Sequence, residues 1–216
     1  MASAVTSPTF ICNLALDLIS DETVVNVEEP TSDIEETCNR HYSAIRQALL
    51  RDYTWNFAKA TAILTPSGDV TPEFEYSYAF KLPNDFLRFR SAGSNESVTT
   101  LRGLTIDYDI VNGYIYANAD SLRLKYIKDE TVVVKFDSLF VELFQHKLAI
   151  RLAYALTSDK SRIEQLKKDL EIIEARATSV DSQERPPKRV QQSVWLQKRQ
   201  TLSSPRVGVP DWKYHQ

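Results

Sequence analysis

The fold is decided by residues 137–157, DSLFVELFQHKLAIRLAYALT. Read as a helix, this stretch carries apolar side chains around most of its circumference, and only a narrow strip is polar or small. Such a helix is normally buried with neighbours on several sides. Ala149 and Ala153 lie one turn apart on that strip and would let another helix approach closely. The sequence therefore predicts a central core helix.

Two basic residues of this helix, Lys147 and Arg151, lie on its mostly apolar side. Their aliphatic stems can cover apolar surface while the charged ends reach water. The simpler interpretation is a core helix whose two basic side chains are solvated at their ends. The alternative is that both face another subunit, and they are the candidate residues of a subunit interface.

Three further helices flank this one. Thr6-Ser7-Pro8 is typical of a helix start, and the helix it begins ends near Ser20-Asp21-Glu22. Thr31-Ser32-Asp33 followed by Glu35 predicts a capped second helix. Ser158-Asp159 caps a fourth helix, whose single apolar stripe ends at Ala177. The loop between the first two helices contains Val24, Val25 and Val27, which are expected to pack on the core.

Between the second and third helices the hydrophobic period changes to two, which is typical of strands. Alternation predicts strands at 53–64, 74–82, 87–91, 97–101, 104–111, 114–117 and 122–126. Asn112-Gly113 separates two of them and suits a two-residue hairpin turn, because both residues tolerate positive φ. The clearest alternation is at 74–82, where a half-buried strand is expected.

The predicted fold class is α+β, a four-helix bundle with an inserted small antiparallel β lobe and an extended C-terminal arm. The bundle takes residues 1–64 and 131–178, the β lobe takes 65–130, and the arm takes 179–216. Residues 181–216 hold seven basic and three acidic side chains, a net charge of +4, against −3 for the whole chain. The other 180 residues therefore carry −7, so the charge is divided between an acidic body and a basic arm.

The arm has no hydrophobic period and cannot form a core of its own. Its widely spaced Trp, Val and Pro residues suit an extended peptide lying along a protein groove. A tail without a partner and a nucleic-acid-binding tail remain alternatives. The candidate partner-binding residues are Arg185, Lys188, Arg189, Trp195, Lys198, Arg199, Arg206 and Trp212.

The sequence shows none of the common motifs for nucleotide binding, serine-hydrolase catalysis or metal binding. It has no glycine-rich phosphate loop and no G-x-S-x-G elbow. His41, His146 and His215 are scattered and have no cysteine at ligand spacing. Cys12 and Cys38 are interpreted as buried free thiols in a reducing compartment. No catalytic, cofactor-binding or metal-binding residue is predicted, and neither a signal peptide nor a membrane span is expected.

The order of several segments resembles a family of phage proteins. The segments are NLALDLIS, CNRHYSAIRQALLRDYTWNFA, YAFKLPNDFLR, LRLKYIKD and FDSLFVELFQHKLAIRLAYALT. Their most specific pieces are Trp55-Asn56-Phe57-Ala58, the Leu82-Pro83-x-Asp85 turn, and the Tyr126 strand that leads to Phe136-Asp137. In this order they resemble the tail tubular protein A, or head-to-tail adaptor, family of short-tailed bacteriophages, over roughly residues 8–178.

The resemblance implies a structural virion protein of the tail, assembled in the host cytoplasm. Such adaptors form a ring of twelve subunits between the portal protein and a nozzle-like tail protein, and genomic DNA passes through the lumen. The C-terminal arm would bind the portal, and neither an enzyme activity, a cofactor nor a membrane contact is expected. Two alternatives remain: a tail-associated peptidoglycan hydrolase, and a non-enzymatic binding module with a nucleic-acid-binding tail.

Overall fold

The computed structural model describes residues 7–20, 22–72, 74–93, 106–157 and 159–184. Within these ranges the chain forms four α-helices and six β-strands, so the predicted α+β class is confirmed. The helices are α1 (Pro8–Leu16), α2 (Asp33–Asp52), α3 (Ser138–Leu156) and α4 (Lys160–Gln183). The strands are β1 (Lys59–Leu64), β2 (Tyr78–Lys81), β3 (Phe86–Gly93), β4 (Tyr108–Val111), β5 (Tyr114–Ala117) and β6 (Leu122–Lys128). A 3-10 turn (Val133–Lys135) precedes α3.

The helix starts follow the local sequence signals. Ser7 caps α1 through its hydroxyl, with Pro8 in the first turn. Ser32 and Glu35 form a reciprocal capping box at the start of α2. Asp159 accepts hydrogen bonds from two backbone N–H groups at the start of α4. In each cap the side chain accepts from a backbone N–H group no more than three residues away, so the local sequence alone predicts it.

Helix α3 is the centre of the helical part, because it contacts α1, α2 and α4. Its buried side chains include Ala149 and Ala153, which are fully buried as the close-approach prediction requires. His146, expected on the polar strip, is also buried, and its Nδ1 lies 2.8 Å from the carbonyl oxygen of Glu142. Burial ends after Ala153, and Tyr154 is 59% exposed. The core-helix prediction is therefore confirmed for all but the last turn.

The strands form two antiparallel three-stranded sheets, ordered β1-β6-β3 and β2-β5-β4. The two sheets share one apolar core, formed by Phe80, Ile115, Ala117, Leu122, Leu124 and Tyr126. The β4–β5 hairpin turns at Asn112 and Gly113, with φ of 50° and 83°. Both residues have positive φ, as the hairpin prediction requires.

Two predicted strands begin too early. Residues 53–58 form no strand. Trp55 is buried there, and its indole N–H donates to the Leu49 carbonyl oxygen at 3.0 Å. Strand β1 starts only at Lys59 and pairs with β6, so 59–64 belongs to the sheets and not to the helical part. In the run at 74–82, Glu75 has a φ of 60°, which ends the alternation, and Phe74 is 80% exposed.

Two side chains, Val25 and Arg46, differ in burial from the prediction. Val24 and Val27 are buried as expected, but Val25 is 90% exposed. The Asn13 side chain bonds both the N–H and the carbonyl oxygen of Val24, so Val24 turns inward and its neighbour points to solvent. Arg46, expected off the buried face of α2, is 9% exposed because it pairs with Asp129.

Helix α4 continues to Gln183, beyond the predicted end at residue 178. Its last turn is held by tertiary contacts that a periodicity argument does not include. Residues 179–184 therefore form the end of α4 and its cap, rather than the start of an arm. The strand prediction at 97–101 lies outside the residues that the structure describes.

Candidate functional site

A surface groove lies between α2, α3 and α4 and has a volume of about 480 Å³. Its floor is apolar and its rim is charged, which is the usual composition of a protein-binding patch. It contains both residues that the sequence singles out for a subunit interface. The lining residues are Ile45, Ala48, Asp52, Lys147, Ile150, Arg151, Tyr154, Lys167 and Leu170.

Lys147 connects two helices across this groove. Its Nζ lies 3.4 Å from Asp52 Oδ2 at the end of α2 and 3.8 Å from Glu174 Oε1 on α4. Only 24% of its side chain is exposed, so its stem lies on the apolar floor. The Lys147 charge therefore has two acidic partners within the chain, and its position in the groove is fixed by them.

Arg151 lies one turn further along α3 and is exposed. Among the described residues no acidic side chain forms an ion pair with it, so its guanidinium is available to a partner. Tyr154 is also exposed, and Lys167 Nζ lies 5.4 Å from the centroid of its ring. Tyr and Arg are among the residue types that dominate the energy of protein interfaces. This end of the groove therefore has the side chains of a binding surface.

The sequence prediction found Lys147 and Arg151 but not their neighbours. Tyr154 could have been found, because Lys147, Arg151 and Tyr154 follow the four- and three-residue spacing of one helix face. Asp52, Lys167 and Glu174 come from other helices, and no local pattern indicates them. Only the packing of α2 and α4 against α3 brings these charges together.

A second set of contacts lies where α4 ends. The Asn56 backbone N–H donates to Asp181 Oδ1 at 2.8 Å, and Asn56 Nδ2 donates to the Asp181 carbonyl oxygen at 3.0 Å. The Tyr53 hydroxyl donates to the Thr178 carbonyl oxygen at 2.8 Å. Asp181 is buried. These bonds fix the C-terminal turn of α4 to the segment after α2.

The eight candidate arm residues, Arg185, Lys188, Arg189, Trp195, Lys198, Arg199, Arg206 and Trp212, lie outside the described residues. The two cysteines are buried free thiols, as predicted. A hydrogen bond with Cys38, together with burial, raises the pKa of the Cys12 thiol, so this thiol is protonated at neutral pH. A protonated, buried thiol is a poor nucleophile and a poor metal ligand.

Among the residues that the structure describes, no group of three or more His, Cys, Asp or Glu side chains is arranged to hold a metal ion. In the same residues no helix combines the length and the apolar character needed to cross a membrane. The sequence matches no protein-family model and has no significant match among curated proteins.

Proposed function

We propose that this protein is a structural head-to-tail adaptor of a short-tailed bacteriophage. It forms a ring between the portal protein and the tail nozzle, DNA passes through the lumen, and the C-terminal arm binds the portal. In this proposal the four helices form a bundle that carries the ring contacts, and the protein has no enzymatic role. It is assembled in the host cytoplasm and resides in the tail of the virion.

The observation that carries this proposal is the contact of Asn56 with Asp181. Asn56 belongs to Trp55-Asn56-Phe57-Ala58, one of the three most specific pieces of the family resemblance. Asp181 lies four residues before Arg185, the first basic residue proposed to bind the portal. The resembling motif thus holds the helix from which the arm continues. An arm that begins at a fixed point loses less conformational freedom on binding than one that begins in a mobile segment.

Two other resembling pieces also meet in the structure. The Tyr126 hydroxyl donates to Asp85 Oδ1 at 2.9 Å, which joins β6 to the Leu82-Pro83-x-Asp85 turn. The Asp129 N–H donates to the Asp85 carbonyl oxygen at 2.7 Å. Two pieces that are far apart in the sequence are therefore hydrogen-bonded to each other in the fold. This contact gives a physical reason for their occurring together in the chain.

The distribution of charge also supports the proposal. Residues 1–180 carry a net charge of −7. A wall of negative charge repels the phosphates of DNA, so DNA passing through such a ring would not adhere to it. The basic arm is then reserved for the portal. The groove with Lys147 and Arg151 is the proposed contact between subunits, since a ring uses two different patches on every subunit.

The experiment is a binding assay with the portal protein encoded in the same phage genome. The full chain is compared with a chain that ends at Glu184, because a chain ending at Ser179 would also remove Asp181. We expect the full chain to bind and the shortened chain to lose binding while it keeps the same thermal midpoint. Equal binding of both chains would show that the arm is not the anchor.

Absence of portal binding by the full chain would overturn the adaptor proposal. Two further measurements separate it from the alternatives. Clearing of a cell-wall substrate in a zymogram would favour the hydrolase. A salt-dependent shift of DNA by the peptide 185–216 would favour the nucleic-acid-binding tail.

A further inference from the structure

The loop between α1 and α2 is acidic and exposed, and we name residues 22–31 the acidic loop. Glu22, Glu28 and Glu29 are exposed and form no ion pair with a described residue. Val25, in the middle of the loop, is 90% exposed. One exposed valine is ordinary on a protein surface. Val25 is unusual because it lies in the same short loop as three exposed glutamates, so the loop presents an apolar side chain together with negative charge.

The acidic loop is rigid because the Glu35 carboxylate organises its backbone. Glu35 Oε1 accepts from the N–H groups of Val25 at 3.0 Å and Asn26 at 3.2 Å. Its Oε2 accepts from the Thr31 N–H at 2.7 Å and the Thr31 hydroxyl at 2.9 Å. A loop that is already ordered pays little conformational entropy on binding. The exposed valine and the acidic side chains are therefore presented in a fixed arrangement.

The groove between α2, α3 and α4 has the opposite character. Arg151 and Lys167 are exposed on its rim without an ion pair to any described residue. Its floor offers Ile45, Ile150 and Leu170 to an apolar side chain. The groove thus matches the acidic loop in two respects, since it offers positive charge to glutamates and an apolar surface to a valine.

One copy of the chain cannot make this contact by itself. The acidic loop is bound to Glu35 at the start of α2, whereas the groove begins at Ile45. Ten residues of helix separate these two positions, a rise of about 15 Å at 1.5 Å per residue. The hydrogen bonds of Glu35 hold the loop at its own end of α2. A loop that fills a groove must therefore belong to a second copy.

We propose that the acidic loop of one copy binds the groove of the next copy. Val25 then lies on the apolar floor, and Glu28 and Glu29 face Arg151 and Lys167. The two patches differ, so every copy offers one loop and one groove, and the contact repeats around a closed ring. This inference rests on the proposed function, because it names the two surfaces that build the adaptor ring.

The test is a charge exchange, followed by sedimentation velocity of the chain alone and of its complex with the portal. The groove variant is Arg151→Glu, and the loop variant is Glu28→Arg with Glu29→Arg. We expect each variant to weaken assembly at least about tenfold, because like charges would then face each other. We expect the combined variant to recover most of the loss, since opposite charges face each other again. Lys125→Glu, on an exposed position of β6, is the matched control and should assemble like the unchanged chain.

A second measurement does not depend on charge. Val25→Cys and Tyr154→Cys proteins are mixed under mild oxidation with oxidised glutathione, and the disulfide-linked dimers are identified by mass spectrometry. We expect dimers that join residue 25 of one copy to residue 154 of another. Val134→Cys, also on an exposed residue, replaces Val25→Cys in the control mixture and should give far fewer mixed dimers.

Single charge variants that assemble like the unchanged chain would overturn the inference, and so would a combined variant that recovers nothing. Failure of the chain ending at Glu184 to assemble without the portal, where the full chain does assemble, would also overturn it, because the arm would then be needed for the contact between copies. In each case portal binding by the full chain would leave the proposed function standing. A full chain that does not bind the portal would overturn the proposed function itself.

Discussion

Asp181, in the last turn of α4, accepts a hydrogen bond at 2.8 Å from the backbone N–H of Asn56, which lies 125 residues earlier in the chain. Asn56 returns a second bond from its side chain to the Asp181 carbonyl oxygen. The pair closes the helical part, because it joins the segment after α2 to the end of the last helix. It also explains why α4 continues beyond its apolar stripe.

Asp181→Ala should lower the free energy of unfolding by about 1–3 kcal/mol, because the half-buried Asn56 N–H loses its acceptor. The last turn of α4 should exchange its amide hydrogens faster than the rest of the helix. Denaturant unfolding and hydrogen exchange measure the two effects. Glu171→Ala, on an exposed position of the same helix, is the matched control. Equal effects of both variants would contradict a structural role for Asp181.

Arg46 and Asp129 join α2 to the segment after β6 through two hydrogen bonds of 3.1 and 3.0 Å. The exposed fractions of their side chains are 10% and 20%. Arg46→Ala should cost about 2–4 kcal/mol in the free energy of unfolding, because Asp129 is left largely buried without its charged partner. Arg46→Lys keeps the charge but not the two-bond geometry, and it should recover only part of this loss.

The control for Arg46 is Arg40→Ala. Arg40 also pairs with a carboxylate, that of Glu36, but both side chains are 63% exposed. Its loss should therefore cost at most about 0.5 kcal/mol. A double-mutant cycle with Asp129→Ala isolates the coupling between Arg46 and Asp129. A coupling no larger than that of the exposed pair would disprove the assignment.

Glu35 should make the stability of the protein depend on pH. Hydrogen bonds from the Thr31, Val25 and Asn26 N–H groups lower its pKa from 4.5 to about 2. Because the folded state has the lower pKa, the contribution of Glu35 to stability is fully present above about pH 4.5. It is lost as the pH falls from there towards 2.

Glu35→Gln tests this dependence by thermal unfolding between pH 2 and pH 7. The variant should unfold at a lower temperature than the unchanged chain at pH 7, and the difference should shrink as the pH approaches 2. At pH 7 the variant is less stable because its amide replaces one accepting oxygen by a donor, which meets N–H groups of the loop. The difference shrinks towards pH 2 because the Glu35 carboxylate of the unchanged chain then takes up a proton and loses its advantage as an acceptor. Glu164→Gln, on an exposed position of α4, is the control and should show no such convergence. A difference that stays constant with pH would contradict the assignment to Glu35.

Gly113 should be more sensitive to substitution than Gly68. A Cβ atom would meet nothing within 4 Å at either position, but Gly113 has a φ of +83°. Gly113→Ala should therefore cost about 1–2 kcal/mol in the free energy of unfolding, because the left-handed conformation is unfavourable for a residue with a Cβ. Gly68→Ala should be neutral or slightly stabilising. Denaturant unfolding of both variants makes the comparison, and equal costs would show that backbone conformation is not the cause.

The predictions from sequence succeeded where the controlling contacts are local. The caps at Ser7, Ser32 and Asp159 and the Asn112-Gly113 turn each involve residues within a few positions of one another. The burial of α3 follows from its own composition. These features depend on hydrogen bonds and dihedral preferences that neighbouring residues set, so the local sequence is enough to predict them.

The failures lie where a distant residue decides the local structure. Strand β1 begins late because Trp55 is buried and packs edge-on against Phe140 of α3, with ring centroids 5.1 Å apart. Helix α4 ends late because Asp181 is bonded to Asn56. Arg46 is buried because Asp129, from another element, neutralises its charge. In each case the alternation or the stripe is present in the sequence, but a tertiary contact outweighs it.

For the groove, the sequence by itself identified Lys147 and Arg151, because two basic residues on the apolar side of a core helix are unusual. It also determined that the central helix would be buried and that charge would be divided between body and arm. Only the tertiary structure decided which groups surround those two residues, and that the acidic loop is rigid. The physical reason is that helix packing and the bonds of Glu35 bring together groups whose separation along the chain carries no signal.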